Sequence, residues 1–316
     1  MTVDLFGWNE LRDRDFADYA ADGLVPGRVV AEHRTHYQVA TGAGELTAEI
    51  TTRTRNRAAE RSDLPGVGDF VAIRYAPDDG PAIIEEVLPR TSAIVRKASA
   101  EKRPQLIAAN VDYLFIVMAL DGDFNLERLE RYLALARESG AMPVIVANKA
   151  DIPHEAAETT AKIASIAPGV ALHVISARDH SGVSDLIAYF EGDSTIALVG
   201  SSGVGKSTLT NELLGRDAQV TGEVRAHDSR GRHTTTHRQL FRRAQGGSII
   251  DTPGMRGLEL WNPVVESEET FEDIDALAAN CKFRDCSHER EPKCAVRAAL
   301  ASGALTQERL ARFRKS

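Results

Sequence analysis

The chain has 316 residues, of which 43% are hydrophobic and 27% are charged, and its formal net charge is -8. This length predicts two or three domains, because a domain usually takes roughly 100–200 residues. No apolar run reaches the ~18–20 residues that a membrane-spanning helix needs. Residues 1–23 hold six acidic and two basic side chains and lack the pattern of a secretory signal. We therefore expect a cytoplasmic, multi-domain protein.

The acidic extension over 1–23 is followed, over residues 24–104, by the pattern of a small β-barrel. Turn signals separate short segments that alternate and are rich in β-branched residues, and these segments are 27–41, 44–54, 67–75 and 82–88. An OB-type barrel of five strands fits this length. An SH3-like barrel fits the same pattern, so the sequence leaves the two barrels open.

Residues 105–262 predict an α/β domain. Apolar strands such as 111–120, 142–147 and 195–199 alternate with helical segments, and their near-continuous Val, Ile, Leu and Ala content is typical of a mostly parallel sheet that is buried on both faces. After residue 262 the apolar strands stop. Residues 263–316 predict a small α-helical domain with a basic tail, since 280–316 hold nine basic and four acidic side chains.

A phosphate-binding loop is predicted between the strand TIALV and the helix-like segment that follows. The motif G-x-x-x-x-G-K-[ST] lies in its required setting, and its residues are Gly200, Ser201, Ser202, Gly203, Val204, Gly205, Lys206, Ser207 and Thr208. Backbone N–H groups of such a loop face phosphate oxygens. Lys206 adds a cation toward the β- and γ-phosphates, and Ser207 offers a hydroxyl to magnesium.

Two further segments predict a guanine-reading pocket. Asn148, Lys149, Ala150 and Asp151 follow a strand, at the edge of the sheet where a base would bind. The Asp151 carboxylate is able to accept hydrogen bonds from N1–H and the exocyclic amine of guanine, a donor pair that adenine lacks. Ser176 and Ala177 end the next strand and resemble the second base-contacting motif. Together with the phosphate loop, these residues predict a GTP site.

The hydrolytic side of the site is predicted at the DTPG segment and in the loop before it. Asp251 supplies a carboxylate near magnesium, and Gly254 supplies an amide for the γ-phosphate. Among Thr234, Thr235 and Thr236 we assign magnesium coordination to Thr235. The side chain after DTPG is Met255, which has no amide to orient water. We therefore expect slow unaided hydrolysis, with Lys206, Thr235 and His233 as the catalytic candidates.

The motif order along the chain is unusual. The guanine-reading segments precede the phosphate loop and DTPG, which reverses the usual order in GTPases. A circularly permuted domain explains this order, because a parallel sheet fixes which strands are neighbours and leaves open where the chain begins.

A clustered cysteine set predicts a metal site near the C-terminus. All three cysteines of the chain lie within fourteen residues, and the spacing of Cys281, Cys286, His288 and Cys294 matches a closed tetrahedral zinc site. Their odd number argues against a disulfide framework. We expect one structural zinc, and magnesium bound with GTP.

The permuted order, the preceding barrel, the loop GRHTTT (231–236) and the cysteine cluster together resemble the ribosome-small-subunit-dependent GTPases called RsgA or YjeQ. The resemblance implies late maturation of the small ribosomal subunit, GTP hydrolysis stimulated by that subunit, and an OB barrel that touches ribosomal RNA. It also implies that GRHTTT is the switch I segment and that His233 assists hydrolysis.

Basic clusters make RNA contact plausible without the resemblance, and ordinary surface charge is the alternative interpretation of the same clusters. They comprise Arg53, Arg55, Arg57 and Arg61 in the barrel, six arginines within 225–243, and Arg309, Arg312, Arg314 and Lys315 in the tail. Two alternatives stay open. One is a signalling GTPase with a protein partner, and the other is a nucleic-acid-binding zinc and OB protein in which GTP is only a structural ligand. A monomer is expected.

Overall fold

The computed structural model divides the chain into two compact units, Met1–Trp261 and Asn262–Ser316. In the larger unit the structure describes residues 7–75, 80–97, 104–121, 124–152, 156–215 and 238–251. In the smaller unit it describes residues 277–278, 280–281, 286, 291, 294–302 and 305. None of the helices in these ranges is long and apolar enough to cross a membrane.

A closed five-stranded barrel opens the larger unit. Its strands are β1 (Val25–Glu32), β2 (Tyr37–Thr41), β3 (Gly44–Ile50), β4 (Phe70–Arg74) and β5 (Ala82–Val87). They pair in the order β1-β2-β3-β5-β4, and β4 closes onto β1. The β3–β5 pair is parallel, and helix α2 (Thr52–Arg57) lies between β3 and β4 in the chain. This topology is that of an OB barrel. The structure therefore favours the OB-type barrel over the SH3-like barrel that the sequence left open.

A helix, α1 (Glu10–Ala21), covers one side of the barrel. The Asn9 side chain caps it by accepting hydrogen bonds from the first turn. Phe16 packs with Trp8 against Phe70 of β4, and the ring centroids of Trp8 lie 5.7 and 5.6 Å from those of Phe16 and Phe70. The segment that the sequence identified only as acidic therefore contributes part of the barrel's packing.

A hairpin of β6 (Ala93–Lys97) and β7 (Pro104–Ala109) follows the barrel. Ile94, Leu106 and Ile107 are buried, and Ala108 is fully enclosed. The sequence did not predict this hairpin, and β7 begins at the boundary expected between the barrel and the α/β domain.

Within the described residues, the α/β part contains six strands, which pair in the order β10-β9-β8-β11-β13-β12. They are β8 (Tyr113–Ala119), β9 (Met142–Asn148), β10 (Ala171–Val174), β11 (Thr195–Val199), β12 (Gln239–Arg242) and β13 (Ser248–Asp251). All pairs are parallel except β12–β13. The predicted guanine-reading segments follow β9 and β10. The reversed order of the motifs along the chain is therefore compatible with a mostly parallel sheet.

Helical segments cover both faces of this sheet. They are α3 (Leu126–Ser139), α4 (Ala156–Ile166), a 3-10 segment (Val183–Asp193) and α5 (Lys206–Leu214). Asn125 caps the start of α3, and Gly140 ends it in the left-handed conformation that favours glycine. Buried residues form one apolar cluster on each face, including Leu114, Ile116 and Leu129 on one face and Phe115, Val117 and Leu209 on the other.

Barrel and α/β sheet are continuous, because β12 also pairs with β1 at Gln239 and Ala31. The eleven strands therefore form a single hydrogen-bonded sheet. In the smaller unit, helix α6 (Ala295–Ala301) begins directly after Cys294, and Val296, Ala299 and Leu305 are buried with that cysteine. The predicted combination of an OB barrel, a permuted α/β domain and a small C-terminal unit with a cysteine site is confirmed.

Candidate nucleotide site and cysteine cluster

The predicted site residues meet at one edge of the α/β sheet. Strands β8, β9, β10, β11 and β13 run parallel, so their carboxyl ends lie side by side. Asn148 ends β9, Gly200 follows β11, and Asp251 ends β13. Ligands of open α/β sheets bind outside the carboxyl ends of the strands. The structure therefore brings the base-reading and phosphate-binding segments together.

Two glycines shape the phosphate loop. Gly200 has φ +150°, and a Cβ there would lie 2.2 Å from the carbonyl oxygen of Val117. Gly205 has φ +95° and precedes α5, and a Cβ there would lie 2.3 Å from Nδ2 of Asn148. Neither position has room for another side chain. Lys206 folds back on the loop, where its Nζ donates to the carbonyl oxygens of Gly200 and Ser201.

Asn148 joins the three predicted motifs. Its Nδ2 donates to the carbonyl oxygen of Val204 at 2.8 Å, and its Oδ1 accepts from the backbone N–H of Ala177 at 2.9 Å. The side chain is 3% exposed. Because a buried amide with both ends paired holds its partners in place, Asn148 fixes the segments predicted to read the base relative to the predicted phosphate loop.

The Asp151 carboxylate, the predicted guanine acceptor, has a hydrogen-bond donor beside it. Ser176 donates its hydroxyl to Oδ1 of Asp151 at 2.8 Å, and this hydrogen bond lowers the pKa of that carboxyl. The carboxylate is ionised at neutral pH, so it only accepts hydrogen bonds, and the Ser176 hydroxyl stabilises that charged form. Ser176, which lies two residues beyond the end of β10, therefore holds the Asp151 carboxylate in place.

Lys149 has a partner that the sequence analysis did not single out. Its Nζ lies 2.7 Å from Oδ2 of Asp121, which follows the end of β8. The Lys149 backbone has φ +68°, an unusual conformation for a residue other than glycine. The ion pair holds the Lys149 side chain beside the segment that follows β8. The sequence signal for Asp121 is its place after a predicted strand, which it shares with Asn148.

The three cysteines of the smaller unit are arranged for metal binding. Their sulfurs all lie within 4.8 Å of one another, and the Sγ atoms of Cys281 and Cys294 are 3.7 Å apart. A tetrahedral ion with bonds of about 2.3 Å separates its sulfur ligands by about 3.8 Å. Although burial opposes it, backbone N–H groups of Val296 and Ala295 lower the pKa of the Cys281 thiol. The donor set fits a thiolate-bound metal ion.

The family model for the RsgA GTPase matches residues 87–261 of the chain. This chain belongs to the RsgA GTPase family. It is 43% identical to the small ribosomal subunit biogenesis GTPase RsgA of Opitutus terrae, over 100% of this chain and 89% of that protein. It is 45% identical to RsgA 2 of Lactiplantibacillus plantarum, over 93% and 83%. Membership of the RsgA GTPase family makes the protein a GTP-hydrolysing enzyme.

Two solved structures are similar to this RsgA-family chain over most of its length. YjeQ from Thermotoga maritima matches with a TM-score of 0.58 and 25% identity, over 92% of this chain and 96% of that chain. YloQ, described as a circularly permuted GTPase, matches with a TM-score of 0.54 and 26% identity, over 92% and 93%. The resemblance to RsgA and YjeQ predicted from the sequence is confirmed.

Several predicted site residues of this RsgA GTPase lie outside the described residues. They are His233, Thr234, Thr235, Thr236, Gly254, Met255 and the fourth candidate metal ligand, His288. The described part of the hydrolytic side is Asp251, at the carboxyl end of β13. The roles of the others remain proposals.

Two arginines that the sequence assigned to the basic loop are structural. Arg238 donates to the carbonyl oxygen of Leu106 at 2.9 Å and lies 3.6 Å from Oε2 of Glu32 at the end of β1. Arg243 is 6% exposed and stacks over the ring of Phe190. Within the described part of the segment 225–243, Arg238 and Arg243 are therefore engaged by the protein itself.

Proposed function

We propose that this GTPase is a late assembly factor of the small ribosomal subunit, and that the subunit stimulates its conversion of GTP to GDP and phosphate. The name shared by its curated relatives, small ribosomal subunit biogenesis GTPase, supports the assembly role. The observation that carries the RNA contact is a set of exposed arginines on the OB barrel. They are Arg53, Arg55 and Arg57 on α2, and Arg61 shortly after it. Such cations suit a ribosomal RNA backbone.

The barrel is connected to the nucleotide site by buried contacts. Arg28 of β1 is 1% exposed, and its Nη2 donates to Oγ1 of Thr195, the first residue of the strand that leads into the phosphate loop. Burial lowers the pKa of Arg28 to about 10, which still leaves it charged at neutral pH. The Arg238–Glu32 contact and the β1–β12 pairing provide a second connection. These links support communication between RNA on the barrel and GTP.

The proposed roles at the nucleotide follow the chemistry of each group. Residues 148–151 with 176–177 bind guanine, and residues 200–208 bind the phosphates. Ser207 and Thr235 coordinate magnesium, with Asp251 close to the ion. The Gly254 amide binds the γ-phosphate, and His233 orients the attacking water because Met255 cannot do so.

The metal of the smaller unit is proposed to be one structural zinc. Cys281, Cys286 and Cys294 supply three sulfurs, and His288 supplies the fourth ligand. Four protein ligands leave no open position for catalysis, so the ion stabilises the local fold. We propose that the enzyme acts in the cytoplasm as a monomer.

The test is multiple-turnover GTP hydrolysis with and without purified small ribosomal subunits. We expect slow hydrolysis by the enzyme alone and a large acceleration by the subunit, which weakens as salt rises because phosphate contacts release counterions. Subunit binding should be tighter with a non-hydrolysable GTP analogue than with GDP. Large ribosomal subunits at equal concentration are the control.

Each outcome of this assay favours one of the functional hypotheses. An unchanged rate with small subunits at low salt would reject the assembly mechanism and favour a GTPase with a protein partner. Tight GTP binding without multiple turnover under any condition would favour GTP as a structural ligand.

A further inference from the structure

Arg128 reaches the phosphate loop from a neighbouring helix. It lies in the first turn of α3, where its backbone N–H donates to the Asn125 cap at 2.9 Å. The next residue, Leu129, is fully buried in the core. The Nη1 atom of Arg128 donates to the hydroxyl of Ser201. A capped and packed helix end therefore holds a guanidinium against the second residue of the loop.

Ser201 receives a second cation at the same time. It is 2% exposed, and its carbonyl oxygen accepts from Nζ of Lys206 while its hydroxyl accepts from Arg128. Two like charges that converge on one buried residue repel each other, and this repulsion falls when an anion binds nearby. The loop therefore carries electrostatic potential that favours a polyphosphate beyond what Lys206 alone supplies.

We propose that Arg128 is a positioning residue of the triphosphate site, which holds the phosphate loop through Ser201 and adds positive charge beside Lys206. The inference rests on the proposed assignment of residues 200–208 as the phosphate loop. Because GTP carries more negative charge than GDP, the added cation favours the triphosphate state. Arg128 thus helps to set the preference for GTP over GDP.

The test measures the affinity of fluorescent GDP and of a fluorescent non-hydrolysable GTP analogue for three variants. Arg128→Gln keeps hydrogen-bond donors and removes the charge, Arg128→Lys keeps the charge, and Arg137→Gln makes the same change at an exposed position in the last turn of α3. We expect Arg128→Gln to weaken the GTP analogue about tenfold and GDP about twofold. The difference should shrink at high salt.

Arg128→Lys should recover most of the GTP preference, and Arg137→Gln should match the wild type. An equal loss for both nucleotides in Arg128→Gln would overturn the proposal, since it would indicate a role in loop structure alone. Unchanged affinities would overturn it as well. If Arg128→Gln lowers the unfolding temperature, two other measurements decide whether the charge of Arg128 is needed. They are the nucleotide affinities of Arg128→Lys and the salt dependence of the wild-type preference for the GTP analogue over GDP.

Lys206→Ala tests the underlying assignment by itself. Loss of both nucleotides in Lys206→Ala, together with unchanged binding by Arg128→Gln, would reject the role of Arg128 and keep the site. Normal binding by Lys206→Ala would instead reject residues 200–208 as the phosphate loop.

Discussion

At the residue scale, the Asn148 side chain has a structural role in addition to its place in the predicted guanine-reading motif. Its amide is paired at both ends within the protein, to Val204 and to Ala177, and Gly205 leaves space for it where any Cβ would collide. In the proposed site, base reading is therefore assigned to Asp151, whose carboxylate accepts one hydrogen bond from Ser176 and has further acceptor capacity. The proposed site thus assigns the structural role to Asn148 and the discrimination of the base to Asp151.

Asp151→Asn should exchange guanine for xanthine selectivity. The substitution replaces an acceptor by an amide donor, so we expect GTP binding to weaken about tenfold or more and xanthosine triphosphate binding to improve. Competition against fluorescent GDP measures both. Asp179→Asn makes the same change at an exposed residue nearby and should leave binding unaltered. Equal affinity of the wild type for ATP and GTP would contradict the assignment.

The site residues that the sequence predicted are those whose chemistry is tied to a short motif at a strand end. Asn148 ends a buried strand, and Asp151 and the phosphate loop follow the ends of such strands, whose apolar runs are long and continuous. Asp121 and Arg128 were not predicted, because their importance depends on which strand and helix lie beside Lys149 and Ser201. That adjacency is a property of the folded sheet and leaves no motif in the chain.

At the element scale, the N-terminal helix is tied to the barrel by a buried arginine. Arg12 is 2% exposed, and its Nη2 donates to Oδ1 of Asn110 at 2.8 Å. Phe70 lies between two guanidinium groups, with Arg12 at 4.7 Å and Arg28 at 4.6 Å from its ring centroid. Burial lowers the pKa of Arg12, although it remains charged. Side chains of α1, of the barrel and of the segment before β8 therefore meet in one cluster of contacts, which we call the polar junction.

Arg12→Ala should destabilise the larger unit by about 2–4 kcal/mol, because it leaves buried acceptors unpaired and removes packing against Phe70. Urea unfolding followed by tryptophan fluorescence, to which Trp8 contributes next to Phe16, measures the change. Arg14→Ala, at an exposed position on the same helix, is the control and should change stability by less than about 0.5 kcal/mol. Equal effects of the two substitutions would show that the junction contributes little.

Elements with strong internal periodicity were predicted well, and elements defined by distant partners were not. The strands β8, β9 and β11 and helix α3 show continuous apolar runs or helical spacing in the sequence. By contrast, β12 has four residues with two exposed ends, and it is a strand only because β13 and β1 pair with it. The β6–β7 hairpin is likewise defined by its partner strand. Local sequence does not encode such pairings.

At the scale of the whole molecule, metal removal should affect one unit and spare the other. Purified protein should contain one zinc per chain, and Cys281→Ser should lose it. Zinc binding is coupled to local folding. We therefore expect proteolysis within 262–316 to accelerate in Cys281→Ser, while affinity for fluorescent GDP stays within about twofold of the wild type. Ser287→Ala, between two of the proposed ligands, is the control substitution.

Elemental analysis of protein purified without chelator decides the metal itself. Absence of zinc, or unchanged proteolysis after its loss, would contradict a structural metal site in the smaller unit.

The permuted strand order also has a consequence for how the chain folds during synthesis. Strand β8 needs β9 on one side and β11 on the other, and the chain must continue from Ala119 to Thr195 before the second partner exists. Until then one edge of an apolar strand containing Leu114, Ile116 and Val117 is unpaired. Such edges are sites of aggregation. The reordering that leaves the sheet intact therefore gives β8 an edge without its native partner until residues 195–199 have been synthesised.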